Sequence, residues 1–182
     1  MKSKMLLHSC CGPCSSAVIE RLKEEYDITI LYYNPNIEPY EEYLKRKEEQ
    51  KRLCSILGVE IMDCDYDNEL FKQMVFGLEN EKEGGFRCFK CYELRLRKTA
   101  QLAHNFDYFT TTLTISPLKN AEKINEIGNE LAGEYGLKWL PSDFKKKEGY
   151  KRSIELSKVY NLYRQNYCGC VFSQKEQNKT DI

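Results

Sequence analysis

A chain of 182 residues fits one domain of ordinary size, able to hide roughly 70% of the surface its unfolded form exposes. Lysine plus arginine equals aspartate plus glutamate at 28 each, so the global field favours neither nucleic acid nor an anionic membrane, and any RNA binding must come from a local patch. The apolar run Met5-Leu6-Leu7 is too short for a signal peptide and no stretch approaches a membrane span, which predicts a cytoplasmic protein without membrane contact.

In chain order, short apolar runs predict strands at residues 5–9, 28–33, 59–63, 108–113 and 137–140. Helical patterns fall between them: 15–26, with Val18, Ile19 and Leu22 on one face; 40–57, stopped by Gly58; 68–78; 91–106; and 119–135, stopped by Gly136. This alternation predicts a single α/β domain over 1–182, with a mostly parallel sheet, helices on both faces and ligands beyond the carboxyl ends of the strands. Residues 141–173 break the rhythm and read as a C-terminal functional extension of loop and helix. The polar stretch 174–182 reads as a disordered tail.

Nine cysteines, an odd number in a reducing cytosol, point to metal or redox chemistry more than to a disulfide framework. Seven fall in three clusters: Cys10, Cys11 and Cys14; Cys88 and Cys91; Cys168 and Cys170. Cys54 and Cys64 stand alone and read as small core residues. The first cluster follows the first strand and opens a helix, where partial positive charge stabilises thiolates. The second opens another helix after Gly84-Gly85. Two C-x2-C pairs match a four-cysteine zinc site. Their separation far exceeds the roughly 15 to 20 residues of a zinc ribbon, and the adjacent Cys10-Cys11 pair suits separate irons of a 4Fe-4S cluster better than one tetrahedral ion. The spacing leaves both readings open. Cys168-Gly169-Cys170 is a dithiol able to store two electrons as a disulfide.

Asp143, just past the last predicted strand, is the candidate acid by position, and a turn residue by the plainer reading. His8 reads as a hydrogen-bonded core histidine. Lys145, Lys146, Lys147, Lys151, Arg152 and Arg164 interleave with Tyr150, Tyr160, Tyr163 and Tyr167, a composition in which cations meet phosphates and rings stack on bases.

Taken together, Leu7-His8-Ser9-Cys10-Cys11-Gly12-Pro13-Cys14, Tyr33-Asn34-Pro35-Asn36-Ile37, Arg87-Cys88, Cys91-Tyr92-Glu93-Leu94-Arg95, Ser116-Pro117 and Asn166-Tyr167-Cys168-Gly169-Cys170 resemble the motifs of the QueH-type epoxyqueuosine reductases. The resemblance covers residues 5–173. It implies a Rossmann-like, nucleotide alpha-hydrolase-like fold and reduction of epoxyqueuosine to queuosine at the wobble position of tRNA, without cobalamin. It further implies a 4Fe-4S cluster on Cys10, Cys11, Cys88 and Cys91, a redox-active pair at Cys168 and Cys170, and Cys14 as a candidate ligand of an additional iron. The partners implied are tRNA carrying epoxyqueuosine and an electron donor. ATP, which related folds cradle at the first loop, is not expected, because Pro13 lacks an N–H donor there. The competing classes are a metal-assisted tRNA sulfurtransferase and a non-catalytic, zinc-stabilised tRNA-binding module.

Overall fold

The computed structural model describes residues 1–180. Its sheet has four strands in the order β3-β2-β1-β4, all parallel. The central strand β1, Ser3–His8, pairs with β2, Tyr26–Leu31, from Ser3↔Tyr26 to His8↔Leu31, and with β4, Tyr108–Thr111, from Met5↔Tyr108 to His8↔Thr111. The short edge strand β3, Glu60–Met62, adds to β2. Met5, Leu6 and Leu7 are all buried, the continuous apolar run expected of a parallel strand covered on both faces.

Period-two alternation sorts the side chains between two layers. Met5 and Leu7 pack with Val18 and Ile19 of α1 (Gly12–Leu22), Cys54 of α2 (Tyr40–Leu57) and Leu156 of α6 (Gly149–Val159). Leu6 packs with Phe71 of α3 (Asn68–Met74), Leu96 of α4 (Phe86–Leu102) and Ile124 of α5 (Ala121–Tyr135). The chain runs from β1 outward to β2 and β3, then returns to set β4 on the other side of β1. The crevice above the carboxyl ends of β1 and β4 is therefore the topological switch point, where open α/β sheets bind ligands.

The expected α/β class and the four longer strands are present, with α2 at its expected limits. Helices α1 and α4 begin earlier than periodicity indicates, at Gly12 and Phe86, because Pro13 is tolerated in a first turn and Gly85 provides an extended N-cap. The expected strand at 137–140 is reduced to one bridge, Phe109↔Trp139. Gly136 ends α5 in the left-handed conformation and Pro141 follows four residues after Leu137, leaving no room for a ladder. The expected tail is helical as far as Thr180: α7, Val171–Thr180, is anchored by buried Ser173 and by Phe172 stacked under the Arg87 guanidinium. Its last two residues lie outside the described ones. No helix among the described residues is long and apolar enough to cross a membrane.

Trp139 joins the bridge to the core. Its ring meets Phe109 edge-on at 5.1 Å, its Nε1 donates to Asn125 Oδ1 at 3.0 Å, and it lies against Gly128 so closely that an added Cβ would overlap the indole. Gly128→Val is expected to cost about 1–3 kcal/mol through overpacking, read as a lower urea midpoint with an unchanged slope. A midpoint equal to that of the unaltered protein would contradict this packing.

Candidate metal and thiol site

Beyond His8 the chain turns into Cys11, the extended N-cap of α1 (φ −172°, ψ 162°), which brings Cys10 to the crevice and Cys14 into the helix's first turn. The three sulfurs lie within 4.8 Å of one another, with Cys10 and Cys11 at 3.9 Å and Cys11 and Cys14 at 2.9 Å. Thr112 holds Cys10, its hydroxyl 3.2 Å from the backbone N and 3.4 Å from the sulfur. Burial first, and then the neighbouring sulfur, push the Cys11 thiol up to about 12, and its two sulfur neighbours raise Cys14. Three thiols this close cannot all ionise without a cation among them, so metal loading would release protons.

His8 stands behind this loop as a structural residue. Its Nε2 donates to the Tyr33 carbonyl at 2.9 Å, which fixes the tautomer and leaves Nδ1 to accept from the Thr111 hydroxyl at 2.8 Å. Burial, with Arg95 second, lowers its pKa to about 4.

The second cysteine pair lies in the opening turns of α4. Cys88 Sγ accepts from the Gly84 N–H at 3.2 Å, and Cys91 is buried. Neither belongs to the tight group formed by the first three sulfurs. Cys168 Sγ accepts from Lys119 Nζ at 2.9 Å. Cys170 is buried, accepts from the Ser173 N–H at 3.4 Å, and is pushed up to about 12, mainly by burial. All nine cysteines are free thiols.

A cavity of about 190 Å³ opens at the switch point, with Cys10, Cys14, Arg95, Lys119 and Cys168 among its walls. Arg95 is only 1% exposed. It reaches the Cys91 carbonyl and Asn34 Oδ1, both at 3.4 Å, while its Nη2 is buried without a partner. Burial opposes the charge on both Arg95 and Lys119. It is outweighed at Arg95 by Cys91, Cys168 and Cys10, and at Lys119 by Cys168 and Tyr92, so both cations are held charged. An all-sulfur donor set beside two cations fits an anionic thiolate–metal group, including an iron–sulfur cluster.

The loop that carries Cys168 is pinned from below. Arg46, 1% exposed on α2, donates to the carbonyls of Cys168 and Tyr167 at 3.0 and 3.3 Å and pairs with Glu42 at 2.7 Å. Gly169 turns at φ +131° where a Cβ would press on Ile37 and Arg46. Sequence reasoning missed Lys119, Arg95 and Arg46. Arg46 and Gln50 occupy the buried stripe of α2 with Tyr43 and Leu53, and Arg95 occupies that of α4 with Cys91; a charged residue in the apolar register was the available signal.

Other expectations fare differently. Asp143 is not part of the cavity wall, and its carboxylate is engaged by Lys145 at 2.6 Å and Lys146 at 3.7 Å. Within the basic patch, Arg152 is tied to Glu20 and Glu155, and Lys151 to Glu148. Lys147 lines a separate shallow groove, and Arg164 reaches the cavity wall. Cys54 accepts from Gln50 Nε2 within the core, and Cys64 is partly buried beyond β3.

The profile of the family described as "Epoxyqueuosine reductase QueH" matches residues 5–176. The chain belongs to that family. It is 45% identical to the epoxyqueuosine reductase QueH of Staphylococcus epidermidis over 97% of this chain and 78% of that protein. To that of Streptococcus pyogenes it is 43% identical over 97% and 72%, and to that of Thermotoga maritima 35% over 96% and 92%. Among solved structures, a predicted subunit of tRNA methyltransferase from Methanocaldococcus jannaschii superposes with a TM-score of 0.53 at 18% identity, covering 85% of this chain and 76% of that one. That likeness extends to the fold alone.

Family membership and thiol geometry together predict thiol-dependent metal uptake. Cobalt(II) titrated anaerobically into metal-free protein should give a thiolate charge-transfer band that Cys11→Ser and Cys14→Ser weaken and that Cys54→Ser and Cys64→Ser leave intact. An unchanged band in Cys11→Ser would contradict the grouping.

Proposed function

We propose that this chain reduces epoxyqueuosine to queuosine at the wobble position of tRNA, the last step of queuosine biosynthesis, using a 4Fe-4S cluster and a dithiol. Membership of the epoxyqueuosine reductase QueH family supports the reaction. The observation that carries its assignment to this cavity is the contact between Cys168 and Lys119, facing Cys10 and Cys14 across the switch-point crevice.

Following the resemblance, Cys10, Cys11, Cys88 and Cys91 would hold the cluster and Cys14 an additional iron. A cubane spans more space than a single ion, which is consistent with Cys88 and Cys91 standing apart from the tight group. Bound there, the cluster would supply electrons one at a time. Arg95 and Lys119 would offset the negative charge of the thiolates. Reducing an epoxide to an alkene takes two electrons and two protons, and oxidation of the Cys168/Cys170 dithiol to a disulfide releases the same number of each. Arg164, with Tyr150 and Tyr167 on the cavity wall, would receive the splayed wobble nucleotide, while Lys145, Lys146, Lys147, Lys151 and Arg152 meet the flanking phosphates. The exposed ion pairs that now occupy Arg152 and Lys151 are weak enough to exchange for phosphate.

Compactness of the Cys10–Cys11–Cys14 group favours, as a second reading, one thiophilic ion in place of a cluster. Metal analysis separates the two. Protein purified anaerobically should contain about four irons and four sulfides per chain, lost in Cys88→Ser and Cys91→Ser. It should convert epoxyqueuosine-tRNA with a reductant and without ATP. Stoichiometric zinc without sulfide would support the second reading.

RNA binding has its own readout. Arg164→Ala and the pair Lys146→Ala with Lys147→Ala should weaken tRNA affinity, each lost phosphate contact lowering the slope of log affinity against log salt by about 0.7 to 0.9. A slope that does not move would place tRNA on another face.

A further inference from the structure

With Asp143 held outside the cavity, the proton needed by the epoxide oxygen has no donor in the scheme so far. Lys119 Nζ lies 2.9 Å from Cys168 Sγ, and both side chains line the cavity. Among the described residues no carboxylate pairs with Lys119; the Tyr92 ring centroid lies 6.0 Å away, and Arg95 shares the cavity wall. Cys170 is withdrawn from the cavity and buried. The turn at Gly169 and the Arg46 clamp on the Cys168 carbonyl hold this difference in place. The two thiols are therefore chemically unequal, one open to substrate beside a cation and the other in reserve.

We infer that Cys168 is the nucleophile that opens the epoxide, that Lys119 is its counter-ion and proton donor, and that Cys170 is the resolving thiol. The inference rests on the reductase reading above and specifies its chemistry. The Cys168 thiolate attacks one epoxide carbon; the C–S bond forms, the C–O bond breaks, and the oxygen takes a proton from Lys119. Lys119, now neutral, takes the proton of Cys170 as that sulfur attacks Cys168. The S–S bond forms, the C–S bond breaks, its electron pair becomes the alkene, and the hydroxyl leaves as water with the proton from Lys119. Two thiol equivalents and one epoxide become one disulfide, one alkene and one water. An external dithiol or other reductant resets the pair.

Blocking the second half should trap the first. Reduced, metal-loaded Cys170→Ser protein mixed with epoxyqueuosine-tRNA is expected to give a species that survives denaturing electrophoresis and dithiothreitol, with a mass equal to the sum of protein and tRNA. Adding Cys168→Ser should abolish it. Adding Lys119→Met should slow its formation by about 100-fold, with tRNA affinity retained, and Lys119→Arg should restore part of the rate. If the wild type converts the base while Cys170→Ser forms no adduct, the inference is overturned and the reductase reading stands. An adduct that persists without Cys168 overturns it equally. If the wild type leaves the base unchanged under the same conditions, the reading itself fails and the inference falls with it. Should Lys119→Met fail to fold, Lys119→Arg and Cys168→Ser decide the matter, because an adduct formed at the full rate by the arginine variant excludes proton donation by an amine.

Discussion

Buried positive charge needs negative charge nearby, and in this protein sulfur provides it. Arg95 is inside the molecule with one nitrogen unpartnered, and Lys119 faces a sulfur where a carboxylate would be ordinary. Leaving such groups uncompensated costs several kcal/mol each. Sulfurs of three separate chain segments lie beside these cations, and hydrogen bonds from Cys11 and Cys14 lower the Cys10 thiol towards its anion while burial raises Cys91. Core and site are thus not independent parts: the same α4 that packs Leu94, Leu96 and Ala100 against the sheet carries Cys88, Cys91 and Arg95 to the crevice.

Another buried cation does a mechanical job. Arg46 faces inward from α2, clamps the Tyr167 and Cys168 carbonyls, lies 5.0 Å from the Tyr167 ring centroid, and is balanced by Glu42. Through this one guanidinium the position of Cys168 is referred to a long helix, α2. Charge-assisted contacts to a planar fork define direction as well as distance.

The fold was legible where local pattern and tertiary context agree. Leu6 and its neighbours in β1, and the Gly58 and Gly136 stops, carry their meaning in a few adjacent residues. The stretch at 137–140 misled because its apolar content is spent on one tryptophan packed at Gly128, not on a ladder. The tail misled because its polar composition hides two anchoring residues, Phe172 and Ser173. At the site the three cysteine clusters were readable from spacing. Lys119 and Arg46 were not, since a lysine after Ser116-Pro117 and an arginine in a charged helix look solvated until the chain is folded. Asp143 stood out by its position relative to the sheet, and the pairing with Lys145, two residues on, became visible only in the fold.

The crevice joins Cys10 to Cys168 and Arg46 to the same loop across most of the sequence. Contacts of such long range form late, after the loop-closure entropy of the intervening chain has been overcome. On the ribosome, a nascent chain that has completed β1 through β4 therefore holds exposed thiols at the first loop and on α4 with neither Cys168 nor Lys119 in place. Until the Cys168 loop arrives, those thiols are open to oxygen and to adventitious metal. Order of folding is thus part of the chemistry of these thiols: any metal they take up meets a closed crevice only once the Cys168 loop is in place, and before that the sulfurs need shielding.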